Sequence, residues 1–344
     1  MGRIAVVIPC YRVSRHVLDL IEHIGPEVGL IIVVDDACPE GSGQLVEAEA
    51  KDARVRVLHH QVNQGVGGAV ITGYKAARDA GASVIVKLDG DGQMNPALIT
   101  RFVQPIISGH ADYTKGNRFY NVKDLRNMPR CRIFGNAALS FMTKLSSGYW
   151  QVFDPTNGYT ALSARLVDEL PTDYIRKRYF FESDMLFWLG TLRASVIDIP
   201  ISAIYADEVS GLKIERVLPD FLAGHLRNML KRVFYNYFLR GFSVASLELV
   251  LGLISLIFGT TFGAYQWRLG LILDRAATTG TVMIAALPII VGVQLLLSFL
   301  NYDIASVPRT AIHPMLPGDA RGEAEFLHCL GQDQPASPWA GAQC

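Results

Sequence analysis

The sequence is poor in the features that mark several common classes of protein. Basic residues (Lys+Arg) and acidic residues (Asp+Glu) each number 32 in 344, so the formal net charge is zero and no overall field favours nucleic acid. Five scattered cysteines, with no CxxC pair and no zinc-type spacing, are typical of reduced thiols in a cytosolic compartment. Neither GxGxxG after the first apolar run nor GxxxxGK[ST] occurs, which argues against a dinucleotide oxidoreductase and a P-loop NTPase.

Short apolar runs in the first hundred residues predict four buried β-strands, at Ile4–Ile8, Leu30–Val34, Val55–Leu58 and Val84–Leu88. They lack polar alternation, as expected for strands that are covered on both faces. Helical patterns such as Val66–Ala80 lie between them, so repeated strand–helix–strand units predict a mostly parallel sheet. Ligands of such sheets bind beyond the carboxyl ends of the strands, which is where we expect the site.

The last third of the chain has a different composition. It begins with a helical apolar repeat that contains several basic residues, which is typical of an amphipathic helix on a membrane surface. Two apolar stretches of about 20 residues follow, each long enough to cross a bilayer. The Lys/Arg-rich flank before the first stretch predicts that the N-terminal domain lies in the cytoplasm, at the inner membrane. The predicted organisation is a cytoplasmic catalytic domain (1–218), a juxtamembrane amphipathic helix (219–241), two transmembrane helices (242–262 and 281–300) and a cytoplasmic, irregular tail (301–344).

The segment Asp89-Gly-Asp91-Gly-Gln93 directly follows the fourth predicted strand. Two carboxylates at a strand end can face one ion, and the glycines allow tight backbone geometry. Hard oxygen ligands suit Mg²⁺ or Mn²⁺, which would also bind phosphate oxygens. An EF-hand loop would need glycine and glutamate where Met94 and Thr100 stand, so that interpretation fails.

Two further loops follow predicted strands. Asp36 ends the second strand, where a carboxylate can bind the base or ribose of a nucleotide; a turn or helix-cap role is equally compatible with the residues around it. The glycine-rich segment Asn63–Ala69, which includes Gly68, enters a helix and would let a ligand approach the backbone and the helix N-terminus.

Together these loops resemble the family 2 glycosyltransferases of the GT-A type. The matching segments are Val7–Tyr11, Val34–Asp36, Asn63–Ala69, Asp89–Gln93, Lys115–Arg118 and Asp154–Tyr159. The last two look like motifs of the polyprenyl-phosphate branch, which includes dolichol-phosphate mannose synthase and bacterial enzymes that glucosylate undecaprenyl phosphate. The resemblance covers roughly residues 3–215 and implies an α/β, Rossmann-like GT-A domain. Residues Ala37–Ser42 depart from the pattern, since the family usually has Asp-Gly-Ser there.

The resemblance implies a role for each matching residue. The implied metal ligands, for Mg²⁺ or Mn²⁺, are Asp89, Asp91 and Gln93. The implied donor-binding residues are Pro9, Tyr11, Asp36, Gly68 and Asp89, with Ser210 and Lys213 in a loop that closes over the donor. The implied acceptor-phosphate residues are Arg118, Arg132 and Asn136. Residues expected to orient the sugar are Asp154, Asn157 and Glu182. Catalysis is assigned to Asp89, Asp91 and Arg118.

The implied reaction is an inverting transfer from a nucleotide sugar (UDP-sugar or GDP-mannose) to a membrane polyprenyl phosphate, for cell-envelope glycan or glycolipid modification. Its partners are the donor, the acceptor and the bilayer, and packed spans favour a homo-oligomer. Alternatives are a transferase of this fold with another lipid, soluble or polysaccharide acceptor, and a catalytically inactive membrane scaffold. Processive polysaccharide synthases usually carry Gln-x-x-Arg-Trp, whereas Tyr265–Arg268 reads Tyr-Gln-Trp-Arg.

Overall fold

The computed structural model describes residues 3–120, 130–202 and 214–317, and it describes their side chains except at 130–133 and 214–217. The strands are β1 (Arg3–Cys10), β2 (Val28–Asp35), β3 (Val55–His59), β4 (Ala82–Lys87), β5 (Tyr113–Asn117), β6 (Thr160–Ser163) and β7 (Val196–Pro200). The helices are α1 (Val17–Glu22), α2 (Ser42–Glu49), α3 (Val66–Asp79), α4 (Ile99–Ile107), α5 (Arg130–Ser147), α6 (Leu166–Glu169), α7 (Phe181–Leu192), α8 (Ile214–Phe234), α9 (Val244–Leu273) and α10 (Thr279–Ala305).

The seven strands form one mixed sheet in the order β3-β2-β1-β4-β6-β5-β7. Strands β1 to β4 are parallel to one another, and β5 is parallel to β7. Strand β6 runs antiparallel to both β4 and β5, so it begins at the edge where β4 and β5 end. The four predicted strands and the predicted α/β class are confirmed, with β6 as the exception to the parallel arrangement.

Both faces of the sheet are buried, which explains the uninterrupted apolar runs. Successive side chains of a strand point to opposite faces. Val7 and Ile32 therefore pack into a cluster with Tyr74 of α3, while Val6 joins a second cluster with Phe102 of α4. Helices cover the sheet on each side, and polar loops are left to form its edges.

Helices α9 and α10 pack against each other as a hairpin, joined by residues 274–278. Small residues let the two backbones approach closely: a Cβ on Gly259 would lie 2.7 Å from Ile289 Cγ1, and one on Gly292 would lie 2.8 Å from Leu256 N. Both helices are long and apolar enough to cross a membrane. Helix α9 continues to Leu273, beyond the predicted end of its apolar span at residue 262. It ends where the backbone turns left-handed at Asp274 (φ 48°).

Helix α8 precedes this hairpin, and it presents an apolar stripe to the outside. Side chains four residues apart share one helix face. The stripe is 45–59% exposed and consists of Leu218, Leu222, Leu226, Leu230 and Phe234. Arg227 and Lys231 are also exposed, as expected for an amphipathic surface helix. Arg232, in contrast, points inward and is only 4% exposed.

Arg232 fastens the catalytic domain to the hairpin. Its guanidinium binds both oxygens of Asp303 on α10, at 2.6 and 3.0 Å, and also donates to the carbonyl of Leu145. Tyr237 and Trp150 donate to the same buried carboxylate. A buried ion pair with this many hydrogen bonds has one favourable geometry, so it sets the position of α8 relative to α10.

The chain after α10 returns to the sheet. Residues 301–305 still belong to α10, and the segment 306–317 contains a 3₁₀ turn, His313–Met315. Buried Asp112 accepts hydrogen bonds from the backbone N–H groups of Ile312 and His313, which dock this segment on the domain. The rest of the predicted irregular tail, residues 318–344, lies outside the described residues.

Candidate active site

The polar loops predicted from the sequence meet at one edge of the sheet. Strands β1, β2, β4 and β5 all end there, and β6 begins there. Asp36, Asp89 and Arg118 each follow one of these strand ends, and the segment from Asp154 to Gly158 leads into β6. Neighbouring strands lie about 4.8 Å apart, so the ends of β4 and β5, separated by β6, lie roughly 10 Å apart.

The Asp89–Gln93 segment forms a tight loop directly after β4. Asp89 is 30% exposed, and its Oδ1 lies 2.7 Å from the ammonium nitrogen of Lys87. Asp91 Oδ1 accepts a hydrogen bond from the backbone N–H of Gln93 at 3.0 Å. Gly92 takes a left-handed conformation, with φ 74°, that allows the chain to turn between the two side chains.

Lys87 is a buried residue of this site that the sequence argument missed. Its ammonium contacts Asp89, the Glu182 carboxylate at 3.3 Å and the carbonyl of Gly158 at 3.2 Å. Burial by itself lowers the pKa of this lysine, but the two carboxylates outweigh burial and raise it above the ordinary value. Lys87 therefore stays charged. The available signal was a lysine inside an otherwise apolar strand.

Gly158 provides the space for this arrangement. A Cβ at this position would overlap Asp89 Oδ2 and lie 2.6 Å from Lys87 Nζ. The glycine in the Asp154–Tyr159 motif thus allows the carboxylate and the ammonium to pass close to the backbone.

Glu182, which is predicted to orient the sugar, lies in the first turn of α7. No side chain caps this helix, whose N-cap is Phe180. The Glu182 carboxylate is 15% exposed and faces Lys87 instead. The structure therefore brings Glu182 to Lys87, which also contacts Asp89, across 95 residues of chain.

The donor atoms of the Asp89–Gln93 loop fit a divalent cation. Two carboxylates and an amide are oxygen ligands of the kind that Mg²⁺ and Mn²⁺ prefer. Asp89 contacts Lys87 through Oδ1, and both Asp91 and Gln93 are partly exposed. Within the described part of the chain, no group of three His, Cys, Asp or Glu side chains could enclose an ion. The loop therefore suits an ion that completes its coordination with water or substrate phosphate.

Asp36 binds the protein's own loop. The carboxylate is 3% exposed and accepts hydrogen bonds from the backbone N–H groups of Gln64 and Gly65 at 2.8 and 2.7 Å. His60 Nδ1 lies 2.7 Å from Asp36 Oδ1, and Thr72 Oγ1 holds the other ring nitrogen at 2.9 Å. Asp36 thus shapes the rim of the predicted nucleotide pocket, and this side chain has little surface for a direct contact. His60 was not predicted from the sequence.

The glycines of the Asn63–Ala69 loop serve packing. Gly65 has φ 89°, and a Cβ there would press on the carbonyl of Lys177. Gly67 donates to that carbonyl at 2.9 Å and packs against the ring of Phe181. Gly68 is buried against Gln64 rather than open to a ligand. The loop is held by the segment before α7, and this differs from the predicted ligand approach.

Pro9 and Tyr11 occupy the end of β1 and the loop after it. Pro9 is buried and lies beside Val34 in the sheet. Tyr11 is 44% exposed, with the Arg12 guanidinium 5.4 Å from its ring centroid. Of the two predicted donor contacts, Tyr11 is the one that offers a surface, suited to stacking on a planar base.

Arg118 is held by a buried carboxylate. Its Nε and Nη2 donate to Asp154 at 2.8 and 3.1 Å, and its backbone N–H donates to the same side chain at 3.2 Å. Asp154 is fully buried, whereas Arg118 is 33% exposed. A bidentate pair fixes the guanidinium plane. Asp154 is therefore placed to orient Arg118, and any effect of this residue on a sugar is indirect.

Buried polar groups surround this pair. Asn157 accepts from the ammonium of Lys115 through its carbonyl and donates weakly to Asp154 at 3.4 Å. Burial lowers the pKa of Lys115 to about 8 despite the nearby carboxylates. Burial also raises the pKa of Asp198 to about 6. Asn157 is thus a buried member of this network, and its predicted role in orienting the sugar stays a prediction.

The remaining predicted residues are only partly described. The backbone of Arg132 lies in the first turn of α5, and its side chain lies outside the described residues. Asn136 follows one turn later and is half-exposed. Residues four apart share a helix face, so the two stay compatible with one acceptor site. Ser210 and Lys213 lie outside the described residues.

Comparison with known proteins agrees with this geometry. A family model described as "Glycosyl transferase family 2" matches residues 5–170. A UDP-N-acetylglucosamine–dolichyl-phosphate N-acetylglucosaminyltransferase of Methanococcus voltae is 32% identical over 218 residues, covering 59% of this chain and 86% of that protein. An undecaprenyl-phosphate mannosyltransferase of Micrococcus luteus is 30% identical over 207 residues, covering 59% of this chain and 84% of that protein.

The fold is also similar to a solved structure. Glucosyl-3-phosphoglycerate synthase from Mycobacterium tuberculosis, in complex with Mn²⁺, UDP-glucose and phosphoglyceric acid, superposes with a TM-score of 0.51 at 18% identity. The match covers 67% of this chain and 79% of that chain. At this level of identity, the likeness concerns the fold of the sheet and its helices.

Proposed function

Because the chain belongs to glycosyl transferase family 2, we propose that it transfers a sugar from a nucleotide sugar to the phosphate of a membrane polyprenyl phosphate. The carrying observation is Arg118, which buried Asp154 fixes on the same sheet edge as the Asp89–Gln93 loop. One side of this edge suits a metal-bound diphosphate, and the other offers an oriented guanidinium for a second phosphate.

The reaction suits a site without a dedicated general base. A phosphate monoester has its second pKa near ~6, so at neutral pH it is already a nucleophile. One acceptor oxygen bonds to the anomeric carbon while the bond to the nucleoside diphosphate breaks, which inverts the configuration. The main task of the protein is then to position the donor diphosphate and the acceptor phosphate relative to each other.

Individual side chains divide this task. Asp89, Asp91 and Gln93 would hold Mg²⁺ or Mn²⁺, which neutralises charge on the leaving diphosphate. Lys87 holds Asp89 and Glu182 in place, and Tyr11 offers a ring to the base. Arg118 orients the acceptor phosphate, with Arg132 and Asn136 of α5 as further candidates. The donor is a UDP-sugar or GDP-mannose.

The membrane hairpin would bring this site to its lipid acceptor. Arg227 and Lys231 lie before the hairpin on the exposed side of α8, whereas the linker carries Asp274 and Arg275. This bias supports a cytoplasmic location for the catalytic domain. The exposed apolar stripe of α8 would then lie in the membrane surface. The named acceptors of the two relatives, dolichyl phosphate and undecaprenyl phosphate, agree with such a location.

A donor screen tests the proposal. Membranes that contain the full chain are incubated with undecaprenyl phosphate, Mn²⁺ and one of several UDP-sugars or GDP-mannose, and the glycolipid is read by mass spectrometry. Asp91→Ala should abolish the product in a folded protein. Asp173→Ala is the matched control, because that carboxylate is 91% exposed and pairs only loosely with Lys75 of α3, at 3.7 Å. Sugar transfer to a soluble acceptor alone, or full turnover by Asp91→Ala, would contradict the proposal.

A further inference from the structure

A second polar cavity lies at the base of the hairpin, away from the sheet edge. It has a volume of about 310 Å³ and lies between the C-terminal ends of α5 and α7, the start of α9 and the end of α10. Gly190 of α7 lines it, eight residues beyond Glu182, which is about 12 Å along the helix. The cavity therefore belongs to a different end of the domain from the candidate active site.

The lining of this cavity is positively charged. The Arg232–Asp303 pair at its wall is neutral as a unit. Arg193 and Arg240 add two further charges, and their recorded hydrogen bonds are to the backbone carbonyls of Ser306 and Thr191, respectively. Among the described residues, no carboxylate forms a salt bridge with either of these two guanidinium groups. An anion in the cavity could therefore bind two arginines at once.

The backbone and two side chains also indicate a ligand. Residues Tyr235–Arg240 form a π-helix, a rare conformation that is frequent at functional sites. It brings Asn236 and Arg240 to the cavity. The Ser243 hydroxyl lines the cavity while it caps the first turn of helix α9, and it keeps its proton to donate. Asn236 Oδ1 also lines the cavity, is buried and has no hydrogen-bond partner within the described part of the chain. Buried polar atoms of this kind normally meet a ligand or water.

The surroundings of the cavity point to a lipid. Leu239, Phe242 and Val244 lie next to it along the chain and are 64–70% exposed. These side chains mark the point at which helix α9 enters its apolar span. If the hairpin crosses the bilayer as in the proposed function, the cavity lies at the level of the phospholipid headgroups.

We propose that this cavity binds the phosphate-bearing headgroup of an anionic phospholipid. The guanidinium groups of Arg193 and Arg240 bind the phosphate. The Ser243 hydroxyl and the Asn236 amide form hydrogen bonds with its remaining oxygens or with the glycerol hydroxyls. The acyl chains then lie on the apolar surface beside Phe242. Such a lipid would fix the angle between the hairpin and the catalytic domain, because both contribute to the cavity wall.

Native mass spectrometry of the full chain, extracted from nanodiscs, tests this idea. Nanodiscs contain phosphatidylglycerol or phosphatidylcholine. The wild-type protein should retain one phosphatidylglycerol, and Arg193→Gln/Arg240→Gln should weaken its binding at least about tenfold. The matched control Arg227→Gln/Lys231→Gln removes the same charge from the exposed side of α8 and should retain the lipid. Equal loss in both double variants would mean surface attraction only and would overturn the proposal.

A second variant guards against misfolding. Gly241 lines the cavity in an extended conformation (φ −150°), and a Cβ there would lie 3.8 Å from its nearest neighbour, the Asn236 carbonyl. Gly241→Asp therefore places a negative charge in the cavity without removing either arginine. It should lose phosphatidylglycerol while keeping its melting temperature in phosphatidylcholine. Retention of the lipid by this variant would contradict the proposal.

Two further measurements are needed. One distinguishes a lipid phosphate from a soluble phosphate, and the other distinguishes failure of this proposal from failure of the proposed function. Inorganic phosphate should neither displace the lipid nor raise the melting temperature of delipidated protein. If it does both in an Arg193-dependent manner, the ligand is a soluble phosphate and the lipid source is wrong. Lipid counting does not depend on turnover, so failure of sugar transfer leaves it intact. If the hairpin does not lie in a bilayer, wild-type protein will fail to enter nanodiscs at all.

Discussion

Replacement of Gly158 by alanine is the sharpest test of the candidate active site. The added Cβ would overlap Asp89 Oδ2 and lie 2.6 Å from the ammonium of Lys87. Gly158 does not have a left-handed φ, so the substitution introduces a steric conflict and no backbone strain. The conflict falls on the one carboxylate that is both a proposed metal ligand and a partner of Lys87.

The expected magnitude follows from the displacement. Ordinary van der Waals contact begins at 3.4 Å, so the Asp89 carboxylate must retreat by more than ~1 Å. A misplacement of about 1 Å at a reacting centre can cost on the order of 100-fold in rate, or roughly 2.7 kcal/mol of transition-state stabilisation. Overpacking of this kind destabilises a fold by about 1–3 kcal/mol, so the protein should remain folded.

The assay is kcat/KM for sugar transfer to polyprenyl phosphate, measured over a range of Mn²⁺ concentrations. Gly158→Ala should lower kcat/KM about 100-fold and raise the Mn²⁺ concentration needed for half-maximal rate. The matched control is Gly280→Ala, where the new Cβ would have 3.9 Å of room to Thr278 Oγ1. A folded Gly158→Ala enzyme with wild-type kcat/KM and unchanged Mn²⁺ dependence would refute the role given to Asp89.

Three other changes test the surrounding network. Lys87→Met leaves two partly buried carboxylates without their cation and should cost about 1–3 kcal/mol of unfolding free energy; thermal unfolding measures this, and Glu182→Gln in the same background should recover part of the loss. Asp154→Asn should release the guanidinium of Arg118 and raise the KM for polyprenyl phosphate about tenfold; a parallel rise in the KM for the donor would argue against an acceptor role. Burial lowers the pKa of His225 from 6.5 to about 4. The neutral ring therefore contributes stability above pH 6.5, on the order of 3 kcal/mol in total, and this stability is lost as the pH falls towards 4. The melting-temperature difference between wild type and His225→Gln should shrink over this range, and a constant difference would contradict this expectation.

The sequence predicted the architecture well because that architecture depends on local patterns. A run such as Val84–Leu88 has no polar alternation, and only a strand covered on both faces accepts it without loss. The Asp89–Gln93 loop could be placed at the sheet edge because parallel strands end together. The two C-terminal helices were predicted from length and composition, which are again local properties. Their exact ends were not, since helicity continues past the apolar window to Leu273.

The contacts among the polar residues could not be predicted from local patterns. Asp36 looked like a nucleotide contact, yet it is used by the N–H groups of Gln64 and Gly65. Lys87 is a charged residue within an apolar strand, and its ammonium contacts both Asp89 and Glu182. In both cases a partner is 28 or more residues away in the sequence, and only the packing of loops and helices on the sheet brings the groups together.

The amino-acid sequence by itself determined the fold class, the position of the acidic loop and the presence of two apolar helices, because burial and hydrogen bonding act on each segment wherever it stands. Tertiary structure alone decided which charges meet. Asp154 orients Arg118 across 36 residues, and Asp303 secures Arg232 across 71. A carboxylate can bind a metal ion, orient an arginine or join two helices, according to the cation that lies within about 3 Å of it. The folded molecule sets that distance.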